Sequence, residues 1–383
     1  MIADTGAVRW AEAALPAMLD DVERLIVCES PTADRSAVAA SAELVAQIGA
    51  MRLRAQPERI EIDGCSHLRW RLGSTAADAG RVLVLAHHDT VWPIGSLATH
   101  PFGVDDGILR GPGCFDMLTG LVMAIHAIGG LDLPSNRPGA VTLLVTGDEE
   151  IGSPSSRDLI EQEARGCLAA LVLEASGDDG ALKIGRKGVS LYRVRIEGRA
   201  AHAGLEPEKG ISATVELAHQ VLAVAALGDA ALQTTVTPTV ASSGSTTNTV
   251  AARAEFSVDA RAFSVAEQQR VDLAMRELAS VTGAAITVEG GVNRPPLEPA
   301  AAEQLLARVQ SIADRLRLPQ PVGVIVGGAS DGNFTAGVGV PTLDGLGAVG
   351  GGAHADDEHV VVAEIAPRTA LLRELIRELI GST

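Results

Sequence analysis

The sequence predicts an α/β protein in which a mostly parallel sheet, flanked by helices, is interrupted by a smaller α+β domain. Continuous apolar runs of five or six residues alternate with helical segments in the outer parts of the chain, which is typical of buried parallel strands. The middle part instead has alternating strands in a β-α-β-β-α-β order. A length of 383 residues suits two domains. We therefore expect a larger domain formed by 1–187 and 297–383, with a ferredoxin-like domain inserted over 188–296.

The larger domain is expected to begin with two helices, over 7–30 and 34–49, and to contain a further helix from Thr119. Ligands of parallel sheets bind beyond the carboxyl ends of the strands. Polar residues follow each apolar run at such an end, which indicates a binding site at one edge of the sheet. The runs are Val82–Ala86 before His87, His88 and Asp89; Val141–Thr146 before Gly147–Glu150; Ala169–Leu173 before Glu174; and Val322–Val326 before Gly327–Asp331.

The inserted domain is expected to start with the strand Val189–Gly198, where Val194 and Ile196 alternate with charged residues. Ser264 is expected to cap a helix running to Val281, because Glu267 three residues later completes a capping box. The other expected elements are a helix over Ile211–Leu227 and strands over Thr234–Ala241, Val250–Ala262 and Ala285–Glu289.

The composition argues against several classes of partner. Aromatic residues make up only 2% of the chain, too few for a surface that stacks nucleic-acid bases. A net charge of −17 repels phosphate backbones and anionic lipid, so we expect neither nucleic acid nor membrane as a partner. The start, Met1–Asp4, does not resemble a signal peptide, and the four cysteines form no CxxC pair. A cytoplasmic location is expected.

His87 and Asp89 are two residues apart, directly after a predicted strand, so their side chains should point the same way. One of them could bind a metal ion while the other orients it through the second imidazole nitrogen. The alternative is an ordinary polar strand end.

Asp116 lies in a loop fixed by glycines and a proline, where its carboxylate could bridge two metal ions or simply cap the next helix. Of the adjacent Glu149 and Glu150, one can bind metal while the other acts as a general base. An acidic, solvated turn is the alternative for this pair. Glu174 follows a buried run directly, a costly place for a charge that is neither paired nor metal-bound.

His354 follows three glycines, which allow close approach of the backbone, although a flexible loop with an incidental histidine has the same pattern. Two histidines and several carboxylates suit Zn²⁺ or a similar divalent metal better than Mg²⁺ or Ca²⁺.

Taken together, these segments resemble the glutamate carboxypeptidase-type di-zinc metallopeptidases, a family that includes carboxypeptidase G, acetylornithine deacetylase and succinyl-diaminopimelate desuccinylase. The carboxypeptidase G branch looks closest, through Gly185–Gly188 and the His202 segment. Seven segments match in the family's order across nearly the whole chain: Ala86–Val91, Gly111–Asp116, Thr146–Ser153, Val172–Glu174, Arg199–Gly204, Thr247–Val250 and Gly352–Glu358.

The resemblance implies a zinc-peptidase-like fold and two Zn²⁺ per chain, with Co²⁺ or Mn²⁺ as substitutes. Asp116 would bridge the metals, His87 and Glu174 would complete one site, and Glu150 and His354 the other. Glu149 would be the general base and Asp89 would orient His87. Many relatives have aspartate at position 174, which affects the geometry of the site more than its existence.

The resemblance further implies a homodimer built on the inserted domain, in which His202 of one subunit stabilises the oxyanion in the partner's site. Asn248, Arg261 and Arg294 would bind the substrate, although ordinary strand and loop polarity is the alternative for all three. The implied reaction releases a C-terminal amino acid from a small peptide or an N-acyl amino acid. An N-acyl-amino-acid deacylase is the alternative enzyme. A dimeric, non-catalytic binding protein is the alternative outside enzymes, but such a protein should have lost ligands or the base, and this chain keeps both.

Overall fold

The computed structural model describes residues 6–74, 80–131, 133 and 140–381, so Met1–Asp4 lie outside the described residues. The chain forms two compact units. The first consists of Met1–Gly185, Pro299–Ile325 and Ser330–Thr383, and the second of Arg186–Glu298 and Val326–Ala329. No described helix combines the length and apolar character that a membrane span requires.

A six-stranded sheet forms the centre of the first unit. In spatial order its strands are Glu58–Ile62, Cys65–Gly73, Ala140–Thr146, Arg81–His87, Ala169–Val172 and Thr342–Leu343. The last four are mutually parallel, and the first two are antiparallel additions at one edge. Residues 82–86 are at most 2% exposed, which explains why this strand reads as one continuous apolar run. The predicted mostly parallel α/β fold is confirmed.

Among the described residues, seven helices cover this sheet or lie at its ends. The second of them begins after Asp34, whose carboxylate accepts the N–H groups of Ser36 and Ala37 as an N-cap. The helices are Gly6–Val27, Arg35–Leu53, Thr119–Gly129, Arg157–Ala164, Glu303–Leu316, Gly332–Gly337 and Val362–Gly381. Short helical turns lie at Ser96–Ala98, Cys114–Leu118, Glu149–Ile151, Asp178–Gly180 and Pro299–Ala301.

The expected place of Val322–Val326 in the parallel sheet is wrong. The strand Gly323–Val326 pairs instead with Leu182–Arg186 in a separate two-stranded sheet. Ile325 is 51% exposed, so this run lacks the cover on both faces that a central parallel strand needs. A further small sheet contains Gly103–Asp105, Ile108–Arg110, His359–Val361 and Gly350–Gly351.

The second unit contains a four-stranded antiparallel sheet with a ferredoxin-like strand order. Spatially the strands are Thr235–Ser243, Arg253–Ala262, Gly188–Glu197 and Ala285–Arg294, so the first strand in sequence lies at the centre. The helices Ala213–Ala225 and Val265–Arg276 connect them, and Ala201–His202 pairs with Thr249–Val250.

The helix predicted to reach Val281 ends at Arg276, although Ser264 caps its start by accepting the Glu267 N–H. Residues 280–282 leave the helix because they donate hydrogen bonds to the buried carboxylate of Glu216. The last strand, expected over 285–289, continues to Arg294.

Candidate active site

Three of the candidate ligands lie at one edge of the parallel sheet. His87 is the last residue of its strand, Glu150 follows the strand Ala140–Thr146, and Glu174 follows the strand Ala169–Val172. All three strands run in the same direction, so their carboxyl ends meet at this edge. The topology therefore brings together side chains that are far apart in the sequence.

Asp116 lies between two histidines, with one oxygen directed toward each. Its Oδ1 is 3.5 Å from His87 Nε2, and its Oδ2 is 3.3 Å from His354 Nε2. His87 Nε2 is also 3.6 Å from Glu174 Oε1, and His354 Nε2 is 3.1 Å from Glu150 Oε2. The five side chains thus form two groups of three that share Asp116.

The backbone on both sides of this arrangement is tightly constrained. Gly113 has φ 71°, and a Cβ there would lie 2.5 Å from the side chain of Thr90, so the Asp116 loop requires glycine at this position. The Asp116–Met117 peptide bond is cis. His354 itself has φ 63°, a left-handed conformation that is uncommon for residues other than glycine.

The donor atoms of this group suit a metal ion. His87 Nε2, Asp116 Oδ1 and Glu150 Oε1 are buried and have no hydrogen-bond partner. Buried polar atoms are nearly always hydrogen-bonded, so three such atoms side by side point to a missing partner. Ligand atoms of His87, Asp116 and Glu150 lie within 4.8 Å of one another, as do those of His87, Glu149 and Glu174.

The electrostatics of the group favour positive charge. Burial alone would lower the pKa of His87, but the carboxylates of Asp116 and Asp89 raise it well above its ordinary value. The Asp116 carboxylate, with that of Glu150, raises the pKa of His354 to about 10. Burial raises the pKa of Glu150. The clustered negative charge therefore favours protons on the two histidines, and bound cations could neutralise the same charge.

Asp89 forms hydrogen bonds with several parts of the site and not only with His87. Its backbone carbonyl accepts a hydrogen bond from His87 Nδ1 at 2.9 Å, whereas its carboxylate lies 3.5 Å from that nitrogen. The carboxylate accepts the N–H groups of Glu149 and Glu150, both at 3.2 Å, and the hydroxyl of Thr32 at 2.7 Å. Asp89 thus fixes the Glu149–Glu150 turn, and its carbonyl turns His87 Nε2 toward the candidate metal positions.

A second buried cluster, Cys65, His67 and Asp148, supports this turn from behind. It has the residue types of a metal site, but its ligand atoms already have partners. Cys65 Sγ donates to the Gly147 carbonyl, and His67 Nδ1 accepts the Gly147 N–H at 3.2 Å. Asp148 accepts the hydroxyls of Ser155 and Ser156. We infer that this cluster supports the backbone of the turn that carries Glu149.

The remaining candidate residues belong to the second unit. His202 is exposed, its Nδ1 accepts the Gly204 N–H at 3.1 Å, and the neighbouring Ala203 N–H donates to the carbonyl of Asn248 at 2.9 Å. The segments that carry His202 and Asn248 are therefore adjacent.

Arg261 makes the local contact that its position suggests, a two-bond ion pair with Asp259 at 2.9 and 3.1 Å. Arg261 and Arg294 lie in register with the same residue, Val189, on the strand between them. Burial lowers the pKa of Lys187, and the nearby charge of Arg261 lowers it further. Lys187 and Arg294 thus lie close enough to Arg261 for their charges to interact with it, and Arg261 itself is paired with Asp259.

Thr32 and Glu358 are two contributors to the site that the sequence analysis did not identify. Thr32 lies 57 residues before its partner Asp89, and no local pattern marks it. Glu358 accepts the Asp116 N–H at 3.0 Å across 242 residues. Its place four residues after His354, inside a matched segment, is the one sequence signal that could have drawn attention to it.

The model of the peptidase family M20/M25/M40 matches residues 83–378. The chain belongs to this family. It is therefore a hydrolase of a metallopeptidase family. Carboxypeptidase G2 of Pseudomonas sp. (strain RS-16) is 30% identical, over 95% of this chain and 89% of the relative. Succinyl-diaminopimelate desuccinylase of Methylorubrum populi is 29% identical, over 79% and 84%.

Solved structures show the same fold. Aminopeptidase PepT of Bacillus cereus aligns with a TM-score of 0.73 at 22% identity, covering 95% of this chain and 98% of PepT. The YXEP protein of Bacillus subtilis, described as a dinuclear metal-binding peptidase of the M20 family, aligns with a TM-score of 0.65 at 13% identity, covering 97% of this chain and 100% of YXEP.

Proposed function

We propose that this chain is a di-zinc metallohydrolase that cleaves an amide or peptide bond and releases a C-terminal amino acid. The observation that carries the proposal is the position of Asp116, with one oxygen toward His87 and the other toward His354. A carboxylate flanked in this way is suited to bridging two metal ions. The proposed ligands are His87, Asp116 and Glu174 for one ion and Asp116, Glu150 and His354 for the other.

Zn²⁺ is the metal that these donors suit best, because imidazole nitrogen and carboxylate oxygen are its usual ligands. Co²⁺ or Mn²⁺ could substitute. When bound, such ions polarise the scissile carbonyl and acidify a water molecule. The orphaned buried atoms of His87, Asp116 and Glu150 support this assignment.

Glu149 is proposed as the general base. One of its carboxylate oxygens lies within 4.8 Å of ligand atoms of His87 and Glu174. Its backbone is held from one side by Asp89 and supported behind by the Asp148 cluster. A carboxylate fixed in this way can take a proton from the attacking water and pass it to the leaving amine.

The second unit is proposed to bind the substrate. Arg261, assisted by Asn248 and Arg294, would hold a carboxylate on the leaving amino acid, because a guanidinium binds a carboxylate through two parallel hydrogen bonds. Such a requirement would exclude endopeptidase substrates, whose chain continues beyond the scissile bond. His202 would stabilise the oxyanion.

We also propose that residues 188–296 form a dimerisation domain and that His202 acts across the dimer. The helix Ala213–Ala225 exposes Val215 and Leu222, which are 49% and 72% exposed. The edge strand Thr235–Ser243 exposes Val240 at 69%. An apolar helix face and an unpaired strand edge in one unit suit a second copy of the chain. We expect the dimer to be cytoplasmic.

The carboxypeptidase and deacylase alternatives differ in which part of the substrate is recognised. Similarity to carboxypeptidase G2 over 95% of the chain favours the first, and similarity to the desuccinylases favours the second. The basic group around Arg261 suits both, because both product amino acids carry a carboxylate.

A panel of dipeptides, N-acyl amino acids and their C-terminal amides tests the proposal, with wild type and Glu149→Gln compared after loading with Zn²⁺. We expect the wild type to cleave acids and not amides. We expect Glu149→Gln to retain its metal and lose about 10²–10⁴-fold in turnover, the usual contribution of general base catalysis. Turnover by Glu149→Gln within about threefold of the wild type would move the base elsewhere.

A further inference from the structure

Glu358 carries a buried carboxylate that is held entirely by neutral donors. It is 4% exposed and accepts four hydrogen bonds. The donors are Trp92 Nε1 at 2.6 Å, Gly113 N at 2.9 Å, Phe115 N at 2.9 Å and Asp116 N at 3.0 Å. Within the described part of the chain, no lysine, arginine or histidine forms an ion pair with it.

This arrangement requires a carboxylate and not an amide. Two carboxylate oxygens offer about four acceptor positions, and all four donors here point inward. A glutamine would place an NH₂ group against one pair of these donors. Burying a charge without an ion-pair partner is costly, so a carboxylate at this position depends on its four hydrogen bonds.

The four bonds join the segments that carry the central candidate ligands. Gly113, Phe115 and Asp116 belong to the loop of the proposed bridging carboxylate, and Trp92 lies three residues after Asp89. Glu358 itself lies four residues after His354. The next residue, His359, pairs with Arg110 in the small sheet. The loop of His354 therefore enters, and the loop of Asp116 leaves, the same pair of neighbouring strands. Glu358 thus ties together the two loops whose side chains, Asp116 and His354, face each other at 3.3 Å.

We propose that Glu358 is a positioning residue that fixes the Asp116 loop so that one oxygen of Asp116 faces each of the two metal positions. The inference rests on the proposed di-metal function. Glu358 acts through Asp116 and touches neither substrate nor the proposed ions. Its loss should therefore weaken metal binding beyond its effect on stability.

The test compares Glu358→Gln with Glu374→Gln in the otherwise intact protein. Glu374 is a matched control because it is also 4% exposed in the same unit, but its partners are Arg373 and Arg377 on the C-terminal helix. Zn²⁺ affinity is measured by competition with a chromophoric chelator, and stability by thermal unfolding of the metal-free protein. Trp92→Phe removes one of the four donors and serves if Glu358→Gln does not fold.

We expect Glu358→Gln to bind Zn²⁺ about 10–100-fold more weakly, the usual effect of removing a group that orients a ligand. Trp92→Phe should show a smaller loss in the same direction. Glu374→Gln should lower the unfolding temperature and leave Zn²⁺ affinity within about twofold of the wild type. Wild-type affinity in Glu358→Gln, or in Trp92→Phe where Glu358→Gln does not fold, would overturn the positioning role. An equal loss of affinity in Glu374→Gln would overturn it too.

The same data separate this inference from the function on which it rests. If the wild type binds no Zn²⁺, the proposed function fails first. If the wild type binds Zn²⁺ and hydrolyses its substrate while Glu358→Gln keeps wild-type affinity, only the role of Glu358 fails.

Discussion

The carboxylate of Asp89 accepts the backbone N–H of Glu149 at 3.2 Å. Its other oxygen accepts the N–H of Glu150 at the same distance. His87, by contrast, donates to the backbone carbonyl of Asp89. The side chain of Asp89 therefore supports the turn of the proposed base, while its main chain orients the proposed ligand.

This division predicts that Asp89→Asn affects turnover more than metal binding. An asparagine keeps one acceptor oxygen but places an NH₂ group against one of the two N–H donors. The carbonyl that orients His87 is unchanged. We expect kcat to fall about 10–100-fold, with Zn²⁺ content per chain near the wild-type value.

Kinetics and metal analysis of the same preparations check this prediction. Thr32→Val is the control, because it removes a different donor from the same carboxylate. Loss of a whole metal equivalent in Asp89→Asn would show that the carboxylate, and not the carbonyl, orients His87.

Arg261 is predicted to select substrates with a free carboxylate. The wild type should strongly prefer an acid over the corresponding C-terminal amide, and Arg261→Ala should lose most of that preference. Arg261→Lys should be nearly as impaired, because an ammonium group cannot make two parallel bonds. The ratio of kcat/KM for acid and amide measures this preference.

The contact with Asp259 supplies the control for this experiment. Asp259→Asn removes the local partner of Arg261 and leaves the guanidinium in place. We expect this variant to retain the preference for acids. If Arg261→Ala discriminates between acid and amide as well as the wild type does, Arg261 does not bind the substrate carboxylate, and Arg294 is the next residue to test.

The proposed dimer predicts that one charge on the exposed helix face separates the subunits. Leu222→Glu should give monomers in light scattering after size exclusion, because a buried carboxylate at an apolar contact is costly. Leu273→Glu is the control, since Leu273 is 61% exposed on the other helix of the unit. A Leu222→Glu dimer as stable as the wild type would place the contact elsewhere.

Mixed dimers test whether the site is shared. Inactive Glu149→Ala and inactive His202→Ala subunits should regain activity when mixed, because a hybrid contains one intact site. Subunits that exchange without regaining activity would rule out a role for His202 across the dimer.

Glu216 predicts a pH-dependent contribution to the stability of the second unit. Burial would raise its pKa, but hydrogen bonds from Thr282, Gln220 and the Val281 N–H lower it from 4.5 to about 2. A carboxyl group with a lowered folded-state pKa stabilises fully above pH 4.5 and loses this contribution as the pH falls toward 2. Glu216→Gln should therefore destabilise by about 2 kcal/mol at pH 7, and by less as the pH falls.

Calorimetric unfolding of the wild type and Glu216→Gln at pH 7, 5 and 3 measures this change. Glu277, an exposed residue directly after the helix Val265–Arg276, provides the control variant Glu277→Gln. A difference between wild type and Glu216→Gln that stays constant from pH 7 to pH 3 would contradict the assignment.

The sequence predicted the central strands because each is buried on both faces and so appears as an unbroken apolar run. Val82–Ala86 is the clearest case. The same rule failed for Val322–Val326, since a short apolar run does not reveal whether both faces are covered. The end of the helix after Ser264 was also missed, because a tertiary contact to Glu216 overrides the local helical pattern.

The candidate ligands were predictable because each lies at the end of a recognisable run or in a matched segment. The groups that hold them were not. Thr32 contacts Asp89, and Glu358 contacts Asp116, through hydrogen bonds between residues 57 and 242 positions apart. Partners at that separation are set by the fold, so no local pattern marks Thr32, and Glu358 is marked only by its place in the segment of His354.

The number of Zn²⁺ ions that the metal-free protein binds is the decisive measurement for the di-zinc proposal, made by calorimetric titration alongside recovery of hydrolysis. Because Asp116 faces both histidines, we predict two ions per wild-type chain and one in His354→Ala. We further predict weakened binding of both ions in Asp116→Asn, and activity that is lost on chelation and restored by Zn²⁺. Full activity in the metal-free protein, or a single ion in the wild type, would rule out the di-zinc site.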